Sequence, residues 1–153
     1  VGPNKLTGEW GQNPIPGPMD DYEKSVKRHC GRIGAIEVFL SGPGLENYYK
    51  FISGSKKSSR EIVSSYKEND LFANEVMDIY FERIARSFST FVNILDPDII
   101  VCGGGMSEID DIYSEVPKRI IPYIASNYFL TPIAKAFHGS TSGVRGAAHL
   151  WGW

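Results

Sequence analysis

The longest regular hydrophobic pattern lies between residues 70 and 95, where apolar side chains recur at steps of three and four. That spacing places them on one face of a helix. Asp70 is a suitable N-cap and the Asp96-Pro97 pair does not continue a helix, so we predict one long helix from Asp70 to about Leu95. The apolar positions are Ala73, Val76, Met77, Tyr80, Phe81, Ile84, Phe88, Phe91, Val92 and Leu95.

Shorter patterns precede this helix. Residues 1–33 are rich in Gly, Pro and Asn, and they predict mostly loop with a short strand near Glu9-Trp10. Helical spacing begins at Gly34 and is interrupted at Ser41-Gly42-Pro43-Gly44. We expect further helices at 45–52 and 59–67.

After the long helix, an apolar segment at 98–102 predicts a strand that leads into three consecutive glycines. Ser107 is a candidate cap for a helix at 108–125, and a strand at 131–137 and a closing helix at 143–151 complete the pattern. An all-apolar strand is typical of one covered on both faces. Because two strands do not make an independently stable sheet, we expect the other strands to come from upstream.

Composition narrows the class of protein. The chain has 153 residues, a net charge of −2 and a hydrophobic fraction of 42%, which suit an α/β domain and give no sign of a nucleic-acid surface. No apolar run reaches the roughly 18 residues of a membrane span, and Val1-Gly2-Pro3-Asn4 does not resemble an export signal. The only cysteines, Cys30 and Cys102, make a poor disulfide framework, so we expect a cytoplasmic protein.

Gly103-Gly104-Gly105 is one candidate site. Ligands of open α/β sheets bind beyond the carboxyl ends of strands, and a loop without side chains lets a ligand approach the backbone. A tight turn from strand to helix would need glycine as well. The two interpretations are about equally supported by the segment alone.

Two other segments carry chemistry. In Gly8-Glu9-Trp10-Gly11-Gln12, a carboxylate beside an amide could bind vicinal sugar hydroxyls, although composition alone favours an exposed turn. His29-Cys30 lacks the second cysteine at a spacing of two to four that a zinc site needs. The Asn69-Asp70 pair is best explained as a helix cap.

Five ordered segments together resemble the ROK family of sugar kinases. Within that family, the sequences of these segments are similar to those of the bacterial fructokinases (manno(fructo)kinases). The resemblance runs from about residue 1 to the C-terminus and corresponds to the C-terminal half of such a kinase. The segments are Gly8-Glu-Trp-Gly-Gln12, Cys30-Gly-Arg-Ile-Gly-Ala-Ile-Glu37, Ser41-Gly-Pro-Gly44, Asn93-Ile-Leu-Asp-Pro-Asp-Ile-Ile-Val-Cys-Gly-Gly-Gly-Met-Ser107 and Ser142-Gly-Val-Arg-Gly-Ala-Ala148.

This resemblance implies transfer of the γ-phosphoryl group of ATP, with Mg, to a hexose hydroxyl by an actin-like, RNase H-like α/β fold. The 153 residues would form its C-terminal lobe, with an incomplete sheet and packed helices. Glu9 and Glu37 would contact sugar hydroxyls, with Gln12 beside them, and Gly103, Gly104 and Gly105 would face the nucleotide. The resemblance also implies a homodimer that binds hexose, ATP and an N-terminal half, and no membrane.

The chain departs from the family at its zinc loop. The family's histidine and three cysteines fall on Gln12, Arg28, Cys30 and Ala35, which leaves one ligand of four. A single thiolate does not hold structural zinc. We therefore predict no zinc. Residues 1–37 would form a degenerate zinc-loop and sugar-contact segment, and 38–153 a helical and α/β body with the glycine loop.

No catalytic residue is assigned in this chain, because the family's phosphate loop and its aspartate base do not occur in it. We expect these 153 residues alone to be inactive, since phosphoryl transfer needs positioned phosphates and an oriented hydroxyl. One alternative is the sugar-sensing domain of a ROK transcriptional repressor, which would bring a nucleic-acid partner. Another is a stand-alone sugar-binding module whose sheet is completed by dimerisation.

Overall fold

The long helix predicted from the hydrophobic face is present and spans Leu71–Leu95. Asp70 caps it as expected, because its Oδ1 accepts a hydrogen bond of 2.8 Å from the Ala73 backbone N–H. Asp96, at φ +42°, follows its last residue. In this computed structural model, which describes residues 8–150, the chain divides within the helix, after Val76, into two compact units.

Short helices make up most of the first unit. They are a 3-10 helix at Trp10–Gln12, α1 (Asp21–Ser25), α2 (Ile36–Leu40), α3 (Gly42–Ser53), α4 (Ser59–Lys67) and the start of α5 (Leu71–Leu95). The helix predicted at 59–67 is confirmed. The helix predicted from Gly34 begins at Ile36, and the one predicted at 45–52 begins earlier, at Gly42, so the predicted interruption at 41–44 is mostly the first turn of α3. The short strand predicted near Glu9-Trp10 is wrong, because this segment forms the 3-10 helix.

The interpretation of residues 1–33 as mostly loop missed α1. A capping box forms this helix: the Asp20 carboxylate accepts from the Glu23 backbone N–H at 2.6 Å, and the Glu23 side chain accepts from the Asp20 N–H at 3.3 Å. The two bonds satisfy backbone donors that a five-residue helix would otherwise leave exposed.

The core of the first unit brings the N-terminal segment against α2 and α3. Ile15, Ile36 and Phe39 are buried together. The ring of Tyr22 lies 4.9 Å from that of Tyr48, measured between centroids. This packing fixes α2, which carries Glu37.

The second unit is built on a short parallel sheet. It contains the rest of α5, β1 (Ile100–Cys102), a 3-10 helix at Gly105–Glu108, α6 (Ile112–Arg119), a 3-10 helix at Ile121–Tyr123, β2 (Ile133–Lys135), a 3-10 helix at Gly139–Thr141 and α7 (Ser142–His149). β1 and β2 pair in parallel, with Ile100 opposite Ile133 and Cys102 opposite Lys135. Their carboxyl ends therefore meet at one edge.

Three expectations for this unit are corrected. The helix predicted at 108–125 is divided into α6 and two 3-10 helices, and Pro117 and Pro122 lie within this region. Ser107 does not cap a helix, because its hydroxyl donates to the Gly104 carbonyl at 2.7 Å. β1 is covered on one face, since Val101 remains 58% exposed; within residues 8–150 its sheet has two strands.

α6 packs beside β2, and ion pairs join it to α5 within the second unit. Val116 and Ile120 are fully buried. The Arg119 guanidinium lies 2.6 Å from the Asp78 carboxylate and also pairs with Glu115. Across residues 8–150, no helix has the length and apolar character to cross a membrane.

Candidate functional site

A polar cluster in the first unit brings together three segments that are distant in sequence. The Arg28 Nε donates to Glu37 Oε1, and its Nη1 lies 3.5 Å from Gln12 Oε1 and 3.4 Å from Cys30 Sγ. The Arg28 side chain is 16% exposed and that of Glu37 is 37% exposed. Two predicted site residues, Gln12 and Glu37, therefore share one guanidinium.

The backbone around this cluster explains how Gln12 reaches Glu37. The Ile36 N–H donates to the Asn13 carbonyl at 2.9 Å, which holds the end of the 3-10 helix against the start of α2. A Cβ on Gly11 would lie 3.3 Å from the Cβ of Glu37, so glycine permits this close approach. The spacing of the two motifs along the chain is thus matched by a contact in space.

Arg28 is positioned by a tight turn. Its N–H donates to the Arg32 carbonyl, and its carbonyl accepts from the Gly31 N–H, both at 2.8 Å. The hydrogen bonds that Arg28 donates to Cys30 and Glu37 raise the pKa of Arg28. A backbone hydrogen bond with Arg32, followed by the Arg28 guanidinium, lowers the pKa of the exposed Cys30 thiol.

Glu9 stands apart from this network. It is exposed and directly precedes the 3-10 helix, whose Gln12 N–H donates to its carbonyl at 3.0 Å. Within the described part of the chain, its carboxylate makes no hydrogen bond or ion pair. Glu9 therefore has a carboxylate available to a ligand.

The four positions that correspond to the family's zinc ligands do not fit a metal. Gln12, Arg28 and Cys30 converge, but a guanidinium only donates hydrogen bonds and would repel a metal cation. The Ala35 side chain has no atom that could bind a metal. Ala35 is buried, and its backbone forms an isolated antiparallel bridge with Pro14. Between residues 8 and 150, no group of three His, Cys, Asp or Glu side chains could hold a metal ion.

In the second unit, the glycine loop at the end of β1 borders open space. Cβ atoms added to Gly104 or Gly105 would meet nothing within 4 Å, and one on Gly103 would meet only the Ala136 Cβ at 3.9 Å. Gly104 has φ 85° and ψ 179°, a conformation almost restricted to glycine. Among the described residues, no side chain therefore fills the space beside Gly104 and Gly105, and the φ of Gly104 requires glycine for the geometry of the turn itself.

Glu108 joins this loop to the loop after β2, a contact that no sequence motif predicts. Glu108 Oε1 accepts from the Ser140 N–H at 3.2 Å, and Glu108 Oε2 lies 2.5 Å from Lys135 Nζ. The Lys135 ammonium lowers the pKa of Glu108, and the Glu108 carboxylate raises that of Lys135. This contact follows from the parallel pairing of β1 and β2, which brings the carboxyl ends of both strands to one edge of the sheet.

The Asn69-Asp70 pair has a structural explanation. Asp70 caps α5 through Oδ1, and its Oδ2 lies 3.9 Å from Lys57 Nζ. Asn69 adopts φ 63° and ends the turn before the helix. The pair therefore serves as the predicted cap.

The sequence matches the ROK family over residues 1–152. It is 37% identical over 153 residues to an N-acetyl-D-glucosamine kinase of Vibrio atlanticus, covering 97% of this chain and 51% of that protein. The chain thus spans about half the length of the curated relatives it matches.

Solved structures share the fold at low identity. A ROK family glucokinase from Streptomyces griseus, in complex with glucose and AMPPNP, superposes with a TM-score of 0.78 at 18% identity, covering 95% of this chain and 51% of that one. A ROK family transcriptional regulator, a homologue of the Escherichia coli MLC protein, gives a TM-score of 0.64 at 17% identity, covering 84% of this chain and 34% of that one. The predicted fold, the C-terminal lobe of an actin-like, RNase H-like α/β fold with an incomplete sheet and packed helices, is confirmed, and the structure adds that the two strands are parallel.

Proposed function

This chain belongs to the ROK family, and on that basis we propose that it is the C-terminal portion of an ATP-dependent hexose kinase and supplies residues that bind the sugar and face the nucleotide. The observation that carries the proposal is the convergence of Gln12 and Glu37 on Arg28 in the first unit. Glu9, with its unengaged carboxylate, completes the proposed sugar contacts. The catalytic base would come from the rest of the protein.

The chemistry of these groups suits a sugar. Carboxylates accept hydrogen bonds from hydroxyls, and an amide both donates and accepts. The glycine loop would bind the ATP phosphates or adjoining atoms through its backbone, because no described side chain lies within 4 Å of the Cβ positions of Gly104 and Gly105. Mg would accompany ATP.

Two different hexoses are candidates for the acceptor substrate. The sequence resembles fructokinases, whereas the Vibrio relative is named an N-acetyl-D-glucosamine kinase. We propose a fructose-like hexose as the acceptor. The competing acceptor, N-acetyl-D-glucosamine, is the first alternative to measure.

A coupled assay of ADP release by the full-length protein tests this proposal with fructose, mannose, glucose and N-acetyl-D-glucosamine. We expect turnover, and we expect Glu9→Gln to lower kcat/KM for the sugar by about 10- to 100-fold, the value of a hydrogen bond to a charged group. Glu46→Gln is the matched control. The Glu46 carboxylate lies in the same unit and accepts a hydrogen bond from the Ser59 N–H at the start of α4. Absence of turnover with every sugar, or equal losses in both variants, would contradict the proposal.

The 153 residues alone should show no turnover, because they hold no assigned base. ATP-dependent phosphorylation by this portion would mean that the assignment of the base to the rest of the protein is wrong. A sugar-sensing role in a transcriptional repressor is the second candidate, supported by the fold shared with the ROK transcriptional regulator. Sugar binding without turnover, together with sequence-specific DNA binding by the full-length protein, would favour it.

A further inference from the structure

Arg28 is the only charged side chain that contacts both Gln12 and Glu37 in the part of the chain that the structure describes. Its guanidinium reaches the 3-10 helix through Gln12, the first turn of α2 through Glu37, and its own turn through Cys30. The three segments meet at a point where no metal set is available. The side chain that joins the three segments is a permanently charged guanidinium.

We propose that Arg28 is a positioning residue that orients Gln12 and Glu37 toward the sugar, in place of a bound metal ion. The inference rests on the proposed sugar-binding function. A guanidinium presents five N–H donors in a rigid plane and accepts no hydrogen bond. Each partner must therefore turn an oxygen toward it.

This constraint fixes what the partners offer to a ligand. Glu37 uses Oε1 for Arg28, which leaves Oε2 to accept a hydrogen bond from a sugar hydroxyl. Gln12 must face Arg28 with Oε1, which leaves its Nε2 amide to donate. The cluster thus presents one acceptor and one donor in a defined arrangement, and a hexose with neighbouring hydroxyls can satisfy both.

Lysine should not replace arginine here. In Arg28, Nε contacts Glu37 and Nη1 contacts Gln12. A lysine ammonium is a compact charge without the planar fork, so it does not reproduce these two donor positions. Arg32 offers a matched control, because it lies in the same turn and is exposed. Its backbone carbonyl, which accepts from the Arg28 N–H, is kept in any side-chain variant.

The test measures sugar affinity by calorimetry and steady-state kinetics in the full-length protein carrying Arg28→Met, Arg28→Lys or Arg32→Met. We expect Arg28→Met to weaken sugar binding by about 10- to 100-fold and Arg28→Lys to recover only part of it, with Arg32→Met within about twofold of wild type. The KM for ATP and the melting temperature should change little in all three. Alkylation of Cys30 should also shift to higher pH in Arg28→Met, because the guanidinium lowers the pKa of that thiol.

Several results would overturn the inference. They are wild-type sugar affinity in Arg28→Met, full recovery by Arg28→Lys, or stoichiometric zinc in the wild-type protein by elemental analysis. Parallel losses of sugar affinity, ATP affinity and melting temperature would show a merely structural role.

The readouts separate this inference from the kinase proposal. If the protein binds sugar in an Arg28-dependent way but does not turn over, the kinase proposal fails and the inference stands. If it turns over and Arg28→Met has no effect on sugar affinity, the inference fails alone.

Discussion

Two pairs of glycines, one pair in each unit, have opposite surroundings. In the first unit, a Cβ on Gly44 would lie 2.2 Å from the Val38 carbonyl oxygen, and one on Gly11 would lie 3.3 Å from the Glu37 Cβ. In the second unit, Cβ atoms on Gly104 and Gly105 would meet nothing within 4 Å. Gly11 and Gly44 allow protein segments to pack closely, whereas Gly104 and Gly105 border space that the described residues leave open.

The difference bears on how each unit would recognise a ligand. The first unit places charged and amide side chains by close packing, so recognition there depends on side-chain chemistry. The second unit presents bare backbone, so recognition there depends on shape and on backbone hydrogen bonds. Four substitutions in the full-length protein test this distinction, in order of expected effect.

Gly44→Ala should have the largest effect. The added methyl group overlaps the Val38 carbonyl where α2 meets α3, and overpacking of this kind costs about 3 kcal/mol in the free energy of unfolding. Urea denaturation measures it. Gly143→Ala in α7, where a Cβ meets nothing, is the control and should be neutral or stabilising by about 0.5–1 kcal/mol. Equal destabilisation by both would remove the distinction between packed and open glycines.

Gly104→Ala and Gly105→Ala should separate two effects. The first variant tests backbone strain, and the second tests whether a ligand needs the space beside the loop. Gly104 has φ 85° and ψ 179°, so alanine there should cost about 1–3 kcal/mol of stability. Gly105 has open space beside it, so alanine there should leave stability unchanged and raise the KM for ATP by about tenfold if the nucleotide fills that space. Thermal melts and initial rates measure the two effects. An unchanged KM in Gly105→Ala would argue against nucleotide at this loop.

Glu108→Gln should have the smallest effect, because its ion pair with Lys135 is partly exposed and such pairs contribute little to the free energy of unfolding. The amide can still accept from the Ser140 N–H. Since the folded state lowers the pKa of Glu108, its contribution is complete above the ordinary carboxyl range and is lost as pH falls through the depressed pKa. The difference in melting temperature between wild type and variant should therefore vanish in acid; Glu115→Gln, which disrupts a different ion pair, controls for general charge effects. A difference that grows in acid would contradict this assignment.

Periodicity was sufficient where an element is long. α5 repeats its apolar spacing over 25 residues, and its ends follow from Asp70 and Asp96-Pro97. α1 has five residues, too few for a periodic signal, although the Asp20 and Glu23 capping box was readable in the sequence. The division of the region after residue 108 depends on local backbone geometry near two prolines.

The candidate site was predictable only by residue type. The resemblance singled out Gln12 and Glu37, and it showed that Arg28 replaces a cysteine. It could not show that Arg28 would bind both, because that contact depends on the turn at Cys30-Gly31 and on the close approach of Gly11 to Glu37. The Glu108 contact with Ser140 likewise joins residues 32 positions apart.

The half-covered strand β1 has a practical consequence for handling this portion of the protein. Ile99 and Val101 are 50% and 58% exposed, and unpaired strand edges bind other chains readily. If this stretch is synthesised without neighbouring strands, we expect it to aggregate, to be bound by chaperones or to be degraded by proteases. We therefore expect co-expression with the other portion of the proposed kinase to raise the soluble yield of this stretch.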